Sequence, residues 1–407
     1  MNRNFTNSAG EFFFKNWFFF MLALFLVGFF IVPDRSIHRN GYYLLLFTPV
    51  LVLFLYRREL RSIALTTPFL LILAFLSFAA VSFVWADNFD WRDSFDIARY
   101  FLLVISFQFV LFLAFRNGNW NVDQLMWWTM LGVSISALVA MVLFYQDNPF
   151  PHARVPGLSP YTSVQTTSAN MYGFFAMTGL AFLVHDHKRF NLSRAVQLIT
   201  LASVMVIFMF MVFSQTRGAF IALIVSSALL LVLNKWWRSI LILGAIAILT
   251  VAFVELSDSI QGFFERGPGP RIHLWADSLR LIAQKPFFGY GETANFVLDG
   301  GIDKTGFHHF EGHPHNVILY VSLKYGLIGL ALWTVLTGYV LYKAVLVGKN
   351  TRDWTLGVLL IFSLTAMMFT SRNFLASPNA TWLLYWLPVG LILFTGRTSE
   401  EEDRQGD

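Results

Sequence analysis

Four histidines and a glutamate crowd one short stretch of this chain, GFHHFEGHPHNVILYVSLKYGLIG at 306–329, where His308, His309, Glu311, His313 and His315 lead straight into an apolar segment. Imidazole is the side chain that can take a proton from a hydroxyl near neutral pH. His315, beside Asn316 at the start of the apolar segment, is therefore a candidate general base held by a helix end. The plainer reading is a surface histidine that caps the helix. A metal site is conceivable from the same composition, but the spacing matches no helical i, i+4 ligand pair and no metal-loop pattern, so no metal is expected.

A second stretch, SQTRGAF at 214–220, joins two apolar runs with almost no loop between them. Such a junction must be a tight turn at a membrane boundary, with Thr216 as N-cap and Gly218 opening the next helix. Arg217 then sits beside free amides at a positive helix end, which is an anion site in the making. The alternative is an arginine that snorkels and only anchors its helix. Arg271 opens the segment RIHLWADSLRLIAQ, and Arg154 lies in ARVPGLSP. Together with Arg217 they suit a grip on pyrophosphate, next to a histidine able to deprotonate an attacking hydroxyl. Lys324 lies two turns inside the helix after His315, where it either snorkels or meets a lipid phosphate.

These residues need a scaffold, and the composition says which kind. Of 407 residues, 56% are hydrophobic, 17% aromatic and 13% charged, too apolar a chain for a water-soluble domain. The net charge of +5 is spread in short basic clusters between apolar runs, which points to membrane topology rather than to nucleic acid. Without cysteine there is no disulfide, thiolate metal site or cysteine nucleophile. The first apolar run has no small-residue cleavage site after it and is taken as an anchor.

A spanning helix needs about 20 apolar residues, and about twelve segments of that kind follow one another along a single transmembrane domain, 1–407. They lie at 14–32, 42–56, 68–85, 97–115, 125–145, 169–184, 197–213, 218–233, 239–254, 316–341, 354–369 and 381–394. Alternate connections are basic: Arg57, Arg58 and Arg61, then Arg116, then Lys188, Arg189 and Arg194, then Lys235 and Arg238, then Lys343, Lys349 and Arg352. By the positive-inside rule these face the cytoplasm, as do both termini. The acidic tail is expected to be a solvated end. Two outer segments are long, 146–168 and the loop at 255–315 between helices nine and ten. In the second, GPGP at 267–270 is followed by an amphipathic helix with Ile272, Trp275, Leu279 and Ile282 on one face and His273, Asp277 and Arg280 opposite. The expected fold is thus all-α and polytopic, with one large outer loop. No carboxylate interrupts an apolar run, and neither a DxD pair nor a P-loop is present; ion-coupled transport and nucleotide-driven chemistry lose their usual groups.

Three motifs give the chain a resemblance to the O-antigen ligase and polymerase superfamily of bacterial envelope glycosyltransferases. The TRGA turn with Arg217 is similar to the family's arginine turn. Arg271, Trp275, Pro286, Gly289 and Gly291 resemble its R, W, P and GxG pattern, and His315, Asn316, Gly326 and Gly329 resemble the ligases' outer histidine motif. The resemblance implies an inner-membrane enzyme with a periplasmic active site. It would move a finished polysaccharide from undecaprenyl pyrophosphate to a sugar hydroxyl of the lipid A-core, inverting the anomeric carbon and using no metal or cofactor. His315 would activate the acceptor, while Arg217 and Arg271 hold the pyrophosphate. Arg154, Asn316, Trp275, Arg280, Lys324 and His313 are the further residues expected at the substrates. A monomer is expected. Polymerisation on the same lipid carrier is the competing reading, and a transporter for an anionic lipid is the competitor of another class.

Overall fold

The computed structural model describes residues 16–87, 90–116, 120–150, 152–185, 194–234, 271–302, 308–370 and 373–395. Eight helices there are long and apolar enough to cross a membrane: α2 (Arg35–Tyr56), α4 (Thr67–Trp85), α5 (Trp91–Phe115), α6 (Val122–Asp147), α7 (Gln165–Val184), α8 (Arg194–Ser214), α9 (Arg217–Asn234) and α11 (Val317–Thr351). Three shorter apolar helices, α1 (Trp17–Ile31), α12 (Thr355–Met367) and α13 (Trp382–Phe394), join them among the described residues. Short α3 (Arg58–Ala64) and the loop helix α10 (Arg271–Gln284) are the remaining helices among the described residues. Eleven of the segments expected from hydropathy coincide with these apolar helices, and the one at 239–254 lies outside the described residues, as do 255–270 of the large loop.

Two boundaries move most. The second span starts at Arg35 rather than at 42, because Asp34 caps a polar first turn: its carboxylate accepts from the amides of Ser36 and Ile37 at 2.6 and 3.1 Å. The tenth runs on to Thr351, well past its apolar stretch. The expected all-α character holds among the described residues, to which the large loop adds one small antiparallel hairpin that pairs β1 (Leu298–Ile302) with β2 (His308–Glu311). Its pairs include Leu298 with Glu311 and Asp299 with Phe310.

Helices of this composition gain little from hiding apolar surface from lipid, so close packing and internal hydrogen bonds must hold them. Aromatic rings fill the centre: Trp382, Tyr385 and Trp386 are fully buried, and Phe374 meets Tyr385 edge-on at 5.0 Å. Polar side chains bond across helices, Tyr42 to Ser106 at 2.8 Å, Ser136 to Tyr172 at 2.7 Å and Thr337 to Tyr385 at 2.9 Å. Leu44, Leu55, Ile135 and Ile224 stay more than half exposed, forming the lipid-facing side.

Contacts between connections separate two ends. At one, His185 meets Asp353 at 3.1 Å, joining the end of α7 to the link between α11 and α12. At the other, Arg35 donates to the Pro160 carbonyl (2.7 Å), Thr216 to that of Gln165 (3.3 Å) and Trp85 to that of Phe288 (3.1 Å). The basic connections at 57–61 and 349–352 belong to the first end, and Arg154, Arg217, Arg271 and His315 to the second.

Candidate active site

Each candidate is held by backbone geometry. The SQTR turn has Gln215 in the left-handed region at φ 53°, and α9 begins at Arg217 immediately after. Arg154 closes over this turn: its Nε donates to the Ser214 carbonyl at 3.1 Å and an Nη lies 3.5 Å from that of Gln215. Thr216 does not take up the expected N-cap; its hydroxyl donates to the carbonyls of Gln165 and Ser214, tying the turn to α7. Arg271 reaches the same place from the outer loop. Its guanidinium lies 3.4 Å from the Phe369 carbonyl and 5.6 Å from that residue's ring centre, while Gly218, next to Arg217, packs on the same phenylalanine. Burial and then the charge of Arg217 push the Arg271 pKa down, the electrostatic mark of two cations sharing one place. An anion between them would relieve that repulsion.

The helix α10 carries this cluster to the histidines. One turn from Arg271, a rise of about 6 Å, Trp275 donates its indole N–H to the Pro314 carbonyl at 3.0 Å. The next residue is His315, itself at φ 52°, a conformation uncommon outside glycine and typical of constrained sites. The Asn316 side-chain oxygen accepts from the amides of Ile318 and Leu319 and so caps α11. The His313 ring packs edge-on against His315 with centres 4.1 Å apart. Glu311 Oε2 lies 3.9 Å from His315 Nε2, where a carboxylate can offset the charge that an imidazole gains with a proton. The hairpin and the turn after it thus bring Glu311, His313 and His315 together, with ligand-type atoms all within 4.8 Å, although no helix spaces them. Ligands of one tetrahedral zinc lie about 3.3 Å apart, closer than the Glu311–His315 approach.

The loop helix sits on the body by part of the expected face, Trp275 and Ile282, together with Leu274 beside it. Leu274 and Ser278 are buried, whereas Ile272 and Leu279 are 56% and 58% exposed. The apolar residues of α10 are thus divided between a protein face, packed on Leu298 and Leu323, and an outward one. Arg280 stands exposed and is paired with Asp277 on its own helix at 2.7 Å, so it does not join the cluster.

Beyond Gln284, the segment KPFFGYGE inserts into a break in α11. At Gly326, φ 64° and ψ −166° interrupt the helix, and the loop supplies the missing partners. Tyr290 and Gly291 donate to the carbonyls of Leu323 and Lys324 at 2.9 and 2.8 Å; Leu327 and Ile328 donate to those of Pro286 and Phe287 at 2.7 and 3.2 Å. A Cβ on Gly326 would meet the Phe287 carbonyl, and one on Gly289 the Gly326 nitrogen, which accounts for glycine at both. Lys324 points into the protein rather than towards a membrane surface. It is buried, with Nζ on the carbonyls of Glu292 and Ala294 at 2.5 and 2.7 Å. Sequence reasoning missed Glu292, whose carboxylate accepts from the Tyr325 hydroxyl and whose pKa is pushed up to about 7 by burial against the pull of Lys324. Its only signal is its place directly after GYG.

Residues 201–334 match the O-antigen ligase family, a span that includes every sequence-derived candidate except Arg154. The resemblance to the O-antigen ligases stands. The chain is 26% identical over 376 residues to an O-antigen ligase of Pseudomonas aeruginosa, an alignment covering 91% of this chain and 88% of that one. A second relative, from Rickettsia conorii and provisionally named a polysaccharide ligase, is 26% identical over 147 residues, about a third of each chain. The O-antigen ligase match begins in α8 and ends in α11, so it takes in the arginine turn, the loop helix and the histidines.

Proposed function

We propose that this chain is an O-antigen ligase, transferring polysaccharide from undecaprenyl pyrophosphate to a sugar hydroxyl of the lipid A-core at the periplasmic face of the inner membrane. The observation that carries the reading is α10, which at one end of the bundle sets Arg271 beside Arg217 and, one turn on, fastens Trp275 to the residue before His315. Two cations for a diphosphate and an imidazole for a hydroxyl are what metal-independent glycosyl transfer requires.

In this mechanism His315 takes the proton of the acceptor hydroxyl as its oxygen attacks the anomeric carbon. The bond from that carbon to the pyrophosphate breaks, and undecaprenyl pyrophosphate leaves with the electron pair. Arg217 and Arg271 hold the departing charge, Glu311 offsets the imidazolium, and the proton passes on to solvent. A single displacement inverts the anomeric centre. Both substrates are lipid-anchored, so much of the rate comes from bringing them together in one orientation.

The test is the lipopolysaccharide pattern of a ligase-deficient host that carries either this gene or its His315→Ala variant, with both proteins quantified in the membrane. Restoration of the ladder by the intact gene, and core bands alone with the variant, is the expected outcome. Longer lipid-linked glycan with no transfer to core would instead identify the polymerase reaction.

A further inference from the structure

On the same end of the bundle, but outside the Arg217–His315 cluster, a cavity of about 300 Å³ is lined by Arg35, Arg39, Tyr161, Thr167, Asn379 and the 376–380 segment. That volume is at the small end for ligand pockets, the size of a headgroup rather than of a chain. Among the described residues, no acidic side chain lines it. The nearest carboxylate in sequence, Asp34, is taken up by two backbone amides of its own helix. Arg35 is fixed in place: its guanidinium donates to the Pro160 carbonyl at 2.7 Å and lies 5.6 Å from the Tyr161 ring centre. No hydrogen bond or ion pair holds the Arg39 side chain among the described residues; its charge acts on Asp34 and Tyr161 and adds a second cation beside the same space.

Two connections tie this cavity to the candidate active site. Thr167 stands in the first turn of α7, whose first residue, Gln165, accepts the hydrogen bond from Thr216 of the arginine turn. The segment that leaves Phe369, the residue packed on Arg271 and Gly218, returns through Asn379 to the cavity wall. A second pair of arginines thus stands at the same end of the bundle as the candidate active site.

We propose that the Arg35–Arg39 cavity is a separate anion subsite that holds a phosphate group carried by a lipid-anchored molecule. Two sources offer that chemistry: a phosphorylated glycolipid acceptor, which rests on the ligase reading, and an ordinary anionic phospholipid headgroup, which does not. In the first case the subsite orients the acceptor while Arg217 and Arg271 hold the donor diphosphate.

Native mass spectrometry of the intact protein released from detergent tests this without turnover, so a failure of the ligase reading leaves the measurement valid. The probes are phosphorylated lipid A-core, the same glycolipid after phosphate removal, phosphatidylglycerol and phosphatidylcholine. Arg39→Ala is expected to weaken retention of a phosphate-bearing probe about tenfold, with Arg39→Lys close to the parent and phosphate removal abolishing the difference. Loss confined to lipid A-core identifies the acceptor as the source, and loss of phosphatidylglycerol identifies the headgroup. If Arg39→Ala and Arg39→Glu, each with a parental melting temperature, retain every probe as the parent does, the subsite is refuted.

Discussion

Arg217 and Arg271 lie close enough for the charge of one to lower the pKa of the other, and two cations so placed recognise a doubly charged group more strongly than either could alone. Removing either guanidinium should therefore lower ligation in a reconstituted assay by about a hundredfold. Arg271→Lys should recover only part, because an ammonium cannot reproduce the planar fork. Arg280→Ala should stay within about twofold of the parent, since that side chain is exposed and spent on Asp277. Glu292 makes a prediction about pH. Its carboxyl titrates near 7 in the fold against an ordinary value of 4.5, so the folded state binds a proton more tightly than the unfolded one. Stability should then decline as pH rises from about 4.5 through 7 and level off above. Melting curves in detergent across that range check this, and Glu292→Gln should flatten the trend. Placement at this scale was legible where a residue type is rare in its setting, as with an arginine between two apolar runs or a histidine before a membrane helix. Glu292 and Lys324 were not legible in the same way, because burial is a property of the folded loop, and a charged residue near a helix end looks alike whether it faces lipid, water or a carbonyl.

At the scale of elements, the outer loop and α11 are one unit. The P, GxG and GxxG positions, read from sequence as parts of a family pattern, have a mechanical meaning in the fold: they let one backbone enter another's helix. Gly326→Ala should force Phe287 away and strip four hydrogen bonds from the break. A fall in melting temperature of several degrees is expected, with loss of ligation, since α10 hangs from the same segment. Gly338→Ala, in the same helix but with open space around its Cβ, should be neutral or stabilising by up to about 1 kcal/mol. The comparison separates helix propensity from loop docking. Helix α10 shows the limit of periodicity. Its apolar residues do form a face, but the structure packs only Trp275 and Ile282 of it and leaves Ile272 and Leu279 outward, because apolar side chains at a membrane boundary have two places to go and helical periodicity does not distinguish them.

For the whole molecule, hydropathy located eleven apolar helices because a spanning segment is set by bilayer thickness and little else. What it could not give is which ends meet. Arg35 and Arg39 went unremarked for that reason: they are two ordinary arginines until Pro160 and Asn379, distant in sequence, close a cavity over them. The absence of cysteine makes the end-to-end arrangement open to direct test. A membrane-impermeant maleimide should label Ser377→Cys in spheroplasts, whereas Arg116→Cys should react only after the membrane is opened. Labelling of both without permeabilisation would overturn the orientation. The break in α11 has a last consequence, for how the loop can be watched. Because Leu327 and Ile328 donate to Pro286 and Phe287, two amides of a membrane helix are protected by a segment that arrives from outside it. Their deuterium uptake therefore reports attachment of the outer loop. A substrate that tightens the loop should slow exchange at those two positions while leaving the rest of the helix unchanged.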